Sequence, residues 1–258
     1  MPRKMPEKTP QKDYFSDRAR QYAAYRPRYP GALFAWLAAQ VPERQSAWDC
    51  ACGNGQASAD LAGHFARVIA TDLSGEQLRQ AAPHPRIDYR VATAEASGLE
   101  PASVDLVTVA QALHWFDCGR FYAEVRRVLR PAGLLAAWSY GICHIDSAPG
   151  DALLTDYYRN VVGPYWPAER RHVESGYRSL PFPGPELPVP PFEMAFDWNL
   201  EELMGYVASW SATMLYVKAQ GVDPVPALRA AMAPLWGDPD ARRAIRWPLT
   251  VRAARAAA

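Results

Sequence analysis

The sequence predicts an α/β fold, doubly wound around a mostly parallel sheet with helices on both faces, and three observations carry that reading. Residues 47–72 run strand, glycine turn, helix and strand: Trp48 and Cys50 flank Asp49 in a buried-strand pattern, Cys52, Gly53, Asn54 and Gly55 make the turn, and Val68 and Ile69 lead into Asp72. Residues 104–110 are a continuous run rich in valine, the pattern of a strand buried on both faces. Phe121, Val125, Val128 and Leu129 then recur at helical spacing, and Arg130, Pro131, Ala132 and Gly133 break that helix before an apolar strand at 134–138.

Size and charge narrow the classes. A chain of 258 residues, 49% of them hydrophobic, buries about three quarters of its unfolded surface, enough for one large domain with an elaborated end. A net charge of +1 gives no basic footprint for nucleic acid, which excludes a polymeric anionic partner. Cys50, Cys52, Cys118 and Cys143 lack a second Cys or His pair at zinc-ligand spacing, so no metal is expected and they read as buried residues in a reducing compartment. No apolar run reaches the ~18 residues of a membrane span, and the N-terminus lacks a signal-peptide core, so a cytoplasmic protein with no membrane partner is expected.

Taken in order, residues 1–12 carry Pro2, Pro6 and Pro10 in a polar, basic stretch and read as a disordered tail. The following segment repeats Tyr14, Phe15, Tyr22, Tyr25 and Tyr29, and Pro30 opens a helix with Leu33, Trp36, Leu37 and Val41 on one face before Pro42 ends it. In the turn of 52–55, Ser58 stands where a dinucleotide fingerprint needs a third small apolar residue. Asp49, before the glycines, would repel a pyrophosphate but suits an ammonium or sulfonium group. Asp72 lies 19 positions after Gly53, the spacing that puts a carboxylate beside a ribose. The site therefore asks for a cationic nucleoside. Ser74, with Gln77 three residues on, has the capping-box pattern for a helix reaching Ala82. Residues 87–92 give a third strand, 104–110 a fourth ending at Gln111, and 134–138 a fifth. Beyond 140 a charged, aromatic stretch at 166–172 and a proline-rich one at 181–191 suggest a helical insertion over the sheet. Residues 192–198 and 243–251 supply two last strands, with a helix over 200–217 carrying Leu203, Tyr206, Val207 and Trp210.

The pattern Asp49-x-Ala51-x-Gly53-x-Gly55 resembles the first motif of the class I S-adenosylmethionine-dependent methyltransferases, acid-x-Gly-x-Gly-x-Gly, with Ala51 at the first glycine. The likeness extends over residues 15–140, and the C-terminal half resembles the trans-aconitate methyltransferase-like branch of the type 11 methyltransferases. The resemblance implies a Rossmann-like seven-stranded sheet with an antiparallel C-terminal strand, a helical insertion over the active-site edge (141–191), S-adenosylmethionine as cofactor and a small-molecule acceptor. It implies that Tyr22 and Arg26 close over the methionine end of the cofactor, that Asp49, Ala51, Gly53 and Gly55 cradle it, and that Asp72 and Leu73 hold the ribose side. The backbone of Ala94 and Glu95 would face the adenine, with Thr93 where the family has aspartate, and Gln111 would close the site at the end of strand four. In the segment 111–117, His114 and Trp115 meet the acceptor and, with Tyr140, are the catalytic candidates.

Arg170, Arg171 and Tyr177, with Arg178 and His172 close by, are the substrate candidates: one arginine turned inward would hold a carboxylate bidentately, and the alternative is a solvated positive surface. A monomer or weak homodimer is expected. Two other readings stay open at this point. One is a nicotinamide-dependent oxidoreductase, permitted by Gly53, Gly55 and Asp72; the other is a non-catalytic cofactor-binding protein, permitted by Ala51.

Overall fold

Trp48 of β1 (Ser46–Cys50) stands beside Ile69 of β2 (Arg67–Asp72) on one side and Val107 of β4 (Val104–Ala110) on the other. With β3 (Ile87–Val91) outside β2 and β5 (Leu129–Tyr140) outside β4, the parallel sheet runs in the order β3-β2-β1-β4-β5. The computed structural model describes residues 27–255; the expected tail at 1–12 and the candidates Tyr22 and Arg26 lie outside them.

Because side chains alternate along a strand, Trp48, Val107 and Leu135 share one face and Ala47, Leu106 and Leu134 the other. The first face is covered by α4 (Cys118–Val128) through Phe121, Val125 and Val128. The second is covered by α1 (Gly31–Ala39) through Leu33, Phe34 and Leu37, and by α2 (Gln56–Leu61) through Ala57 and Leu61. The short α3 (Gly75–Arg79) joins β2 to β3. Both crossover layers thus bury their apolar faces on the sheet and leave the carboxyl ends of β1, β2 and β4 free to build a site.

The C-terminal strands are β6 (His144–Ile145), β7 (Phe192–Trp198) and β8 (Arg243–Arg255), and β8 runs antiparallel to β5, β6 and β7. Leu249 pairs with both Tyr140 and Phe192, so β5 and β7 flank β8 on opposite edges. The two-residue β6 makes this an eight-stranded sheet where seven strands are expected. The fifth strand begins earlier than 134: residues 129–133 carry it across an irregularity where the pairing with β4 shifts between Val104 and Leu106. Gly133 is needed there, since a Cβ would lie 2.8 Å from Leu129 Cδ2 and 2.9 Å from the Arg130 carbonyl.

Over the C-terminal strands and the end of β5 sits a helical cover made of α5 (Ala148–Asp156), a π turn (Tyr157–Val161), α6 (Arg170–Glu174), α7 (Leu200–Ala208), α8 (Ser211–Gln220) and α9 (Val225–Trp236). Its core is Leu203, Tyr206, Val207, Trp210, Met232, Trp236 and Trp247. Asn199 starts α7 with a reciprocal capping box to Glu202. The helix expected over 200–217 is two helices, because Ser209 Oγ donates to the Tyr206 carbonyl and Trp210 is extended at φ −67° and ψ 136°. The break turns Trp210 into the cover's core. The helix expected to reach Ala82 stops at Arg79; its N-cap Ser74 accepts from the Gln77 N–H as expected. Among the described residues no helix is long and apolar enough to cross a membrane.

Candidate active site at the strand ends

Beyond β1 the chain enters the left-handed region three times, at Ala51 (φ 56°), Gly53 (φ 58°) and Gly55 (φ 83°). An L side chain there costs about 1–2 kcal/mol, which Ala51 bears. Among the described residues a Cβ on Gly53 would meet nothing within 4 Å, so they leave that edge of the turn open, whereas one on Gly55 would lie 2.5 Å from Tyr89 Oη. Asp72 fastens the turn: Oδ2 accepts the Gly53 N–H at 2.8 Å and Oδ1 accepts the Ser74 N–H at 2.8 Å.

Asp49 is fully buried and accepts Ser58 Oγ at 2.6 Å and Thr108 Oγ1 at 3.0 Å. Desolvation pushes its pKa up to about 6 against those two hydrogen bonds, and the nearby Asp72 charge adds to the rise. No cation among the described residues pairs with it. Leu73 and Val91 are 54% and 64% exposed, and Val91 lies in register with Asp72. They form an apolar rim beside the acid that ends β2. Ala94 is buried, and Glu95 Oε1 accepts the Asp117 N–H at 3.1 Å, tying the loop after β3 to the start of α4. An open turn, a buried acid without a cation, a second acid at the strand end and an apolar rim fit a nucleoside that carries positive charge.

Gln111 (φ 57°) extends the β4–β5 ladder with its side chain, Nε2 donating to the Tyr140 carbonyl at 3.0 Å and Oε1 accepting the Tyr140 N–H at 2.9 Å. That clamp sets Tyr140 at the wall of a cleft of about 90 Å³, whose lining also includes Gln111, His114, Trp115, Trp166, Arg170 and Trp210. Arg170 stacks 4.5 Å over the Trp166 ring, and its Nε donates to Tyr158 Oη at 3.0 Å. The Tyr158 hydroxyl in turn donates to Glu174 Oε1 at 3.0 Å. No carboxylate among the described residues pairs with Arg170. His114 is held neutral, its pKa lowered to about 3 by burial first and by the Arg170 and His172 charges second.

The structure thus gathers His114, Trp115, Tyr140, Gln111 and Arg170 in one cleft, and Asp49, Ala51, Gly53, Gly55, Asp72 and Leu73 around the glycine turn. Two substrate candidates lie outside the cleft lining. Arg171 is exposed and absent from the cleft, as is Arg178, because one turn of α6 can aim only Arg170 at Trp166. Tyr177 is also outside the lining: it is fully buried, with Oη 3.1 Å from His114 Nδ1. Sequence reasoning missed Ser58 and Thr108 as partners of Asp49, Val91 at the rim, and the cleft aromatics Tyr158 and Trp166. Ser58 carried a signal, a hydroxyl on the first turn of the helix behind an acid. Among the described residues no three His, Cys, Asp or Glu side chains cluster as metal ligands.

Known proteins agree with this geometry. The family described as "Methyltransferase domain" matches residues 48–137. A Dictyostelium discoideum protein provisionally named a methyltransferase is 31% identical over 232 residues, 88% of this chain and 88% of that one. A Saccharomyces cerevisiae protein provisionally named an S-adenosylmethionine-dependent methyltransferase is 32% identical over 128 residues, 46% of this chain and 44% of its own length. The solved structure of a provisionally assigned type II methyltransferase from Anaeromyxobacter dehalogenans is 48% identical, with a TM-score of 0.85 over 90% of this chain and 98% of that one. With the sheet order, the glycine turn and its two acids in place, the chain belongs to the class I S-adenosylmethionine-dependent methyltransferases.

Proposed function

We propose that this methyltransferase methylates a small acidic molecule, a carboxylate, seated in the cleft beside Arg170. Bound S-adenosylmethionine would supply a methyl group on a positively charged sulfur. Asp49 is the buried negative charge suited to that end of the cofactor, Ala51, Gly53 and Gly55 give the backbone room to approach it, and Asp72 accepts from its ribose. Leu73 and Val91, with the backbone of Ala94 and Glu95, form the place for its base.

The observation that carries the acceptor class is the Arg170 guanidinium, stacked on Trp166 and without an acidic partner among the described residues. Its outer nitrogens retain the fork that binds a carboxylate through two hydrogen bonds. Trp115, Tyr140 and Trp210 make the cleft walls aromatic, so an acceptor is aligned and partly shielded from water, the contribution from which a displacement at carbon gains most. The near-neutral charge of the chain supports a small acceptor over nucleic acid. The same reading has the protein act in the cytoplasm, as a monomer or weak homodimer.

Transfer of labelled methyl groups to a panel of small carboxylic acids tests this. Loss of hydrogen bonds to a charged group costs about 1.5–3 kcal/mol, so Arg170→Ala raises KM for the accepted acid about 10-fold to 100-fold while calorimetric affinity for S-adenosylmethionine stays the same. An unchanged KM would remove the acidic-acceptor assignment.

A further inference from the structure

Tyr177 reaches His114 from a part of the chain 63 residues away, and the route by which it does so is built into the end of α6. The Gly176 N–H donates to the Val173 carbonyl at 2.9 Å and the Tyr177 N–H to the His172 carbonyl at 2.7 Å, the two bonds of a Schellman C-terminus with glycine at its left-handed position. Gly176 has φ 59°, and a Cβ there would lie 2.7 Å from Thr250 Cγ2, so the position requires glycine. Tyr177 itself stays left-handed at φ 61°, a conformation that a bulky side chain adopts only when its surroundings impose it. Those surroundings include Arg252, whose Nη1 donates to the Tyr177 carbonyl at 2.6 Å. The ring is fully buried, and its hydroxyl lies 3.1 Å from His114 Nδ1.

We propose that Tyr177 is a positioning residue that donates its hydroxyl proton to His114 Nδ1, fixing the ring so that Nε2 carries the hydrogen and presents it to the acceptor cleft. The direction of the bond follows from the burial of the hydroxyl. The Tyr177 side chain is fully buried, and His114 Nδ1 is the one hydrogen-bond partner of its oxygen among the described residues. A ring that donated from Nδ1 would leave the hydroxyl proton buried without an acceptor, whereas the ring lines the cleft and can carry its hydrogen there, so the hydroxyl gives its proton to Nδ1. The charged and titratable groups facing this pair are Arg170 and His172 on α6 and Tyr140 on β5; the Arg170 guanidinium opposes a second positive charge on the ring. His114 Nε2 has no partner among the described residues, and the ring lines the cleft.

The chemical consequence deepens the reading given for Arg170 and rests on it. A ring that shows N–H to the cleft is a hydrogen-bond donor, not a base. His114 then holds an acceptor oxygen that arrives already ionised, as a carboxylate does at neutral pH and an alcohol does not. Arg170 and His114 are two donors converging on one anion.

The test needs no acceptor, so its failure is separate from any failure of the Arg170 kinetics. Full-length protein labelled with 15N-histidine is examined by long-range 1H–15N correlation between pH 5 and 8, with the His114 signals assigned by their absence in His114→Gln. The expected spectrum is a neutral ring protonated on Nε2 throughout that window. A ring protonated on Nδ1, or one that titrates within the window, overturns the proposal. In Tyr177→Phe the single form should give way to a mixture of both tautomers, with the circular dichroism of the folded protein unchanged. An unaltered His114 signal in that folded variant also overturns it, and if the variant does not fold the wild-type spectrum alone decides.

Discussion

Asp49 shows how a single residue sets function against stability. Its carboxyl is ordinary in the unfolded chain and rises to about 6 in the folded one because burial disfavours the charge. For an acid raised in this direction the cost of ionisation is absent below the unfolded value near 4, accumulates between pH 4 and 6, and is complete above 6. A shift of this size corresponds to roughly 3 kcal/mol. Asp49→Asn should therefore gain about 1–3 kcal/mol at pH 7.5 and close to nothing at pH 4 in denaturant unfolding, while losing affinity for S-adenosylmethionine. A stability difference that does not change with pH would show that the folded carboxyl is not strained by burial. The place of this acid is legible from sequence because it is local: Asp49, Gly53, Gly55 and Asp72 fall within one strand-turn-helix-strand unit, and their spacing fixes their relations. The strain at Ala51 is equally local, since the motif puts a left-handed backbone at a position where this chain has a methyl group.

At the scale of elements, the sequence announces those built on period and punctuation and hides those decided by distant contacts. The strand at Phe192–Trp198 and the capped start of α3 at Ser74 follow from pattern alone. The break between α7 and α8 does not, because residues 200–217 keep a helical pattern through Trp210 and the interruption arises where that tryptophan packs against Tyr206, Tyr157 and Tyr158. The choice of Arg170 over Arg171 depends on the phase of a five-residue helix against Trp166, which periodicity cannot register. The Schellman end of α6 lies between these cases: Gly176 is visible as a glycine, but its consequence, Tyr177 under His114, crosses 63 residues. Gly176→Ala should lower unfolding stability by about 1–3 kcal/mol through its left-handed φ and the contact with Thr250. A neutral result in chemical denaturation would mean that α6 ends in another way.

The whole molecule is two constructions that meet at the carboxyl end of β4. The parallel half carries the glycine turn, Asp49 and Asp72; the antiparallel half and its helical cover carry Arg170, Trp166 and the aromatic core around Trp210 and Trp247. Gln111 joins them, since its side chain fastens the end of β4 to Tyr140, and His114 and Trp115 follow it into the cleft. The first half is readable because its geometry belongs to a widely shared fold, the second less so because the helical cover is built from contacts between segments far apart in the chain. Whether the methyl group goes to a carboxylate held in that cleft, as proposed, is read from the alkali lability of the labelled product. Methyl esters release their label as methanol in dilute base, so the account predicts base-labile, volatile radioactivity from wild-type protein that falls sharply in Arg170→Ala. A label that stays with the product in base, as methyl groups on nitrogen, carbon or a phenol oxygen do, would contradict it.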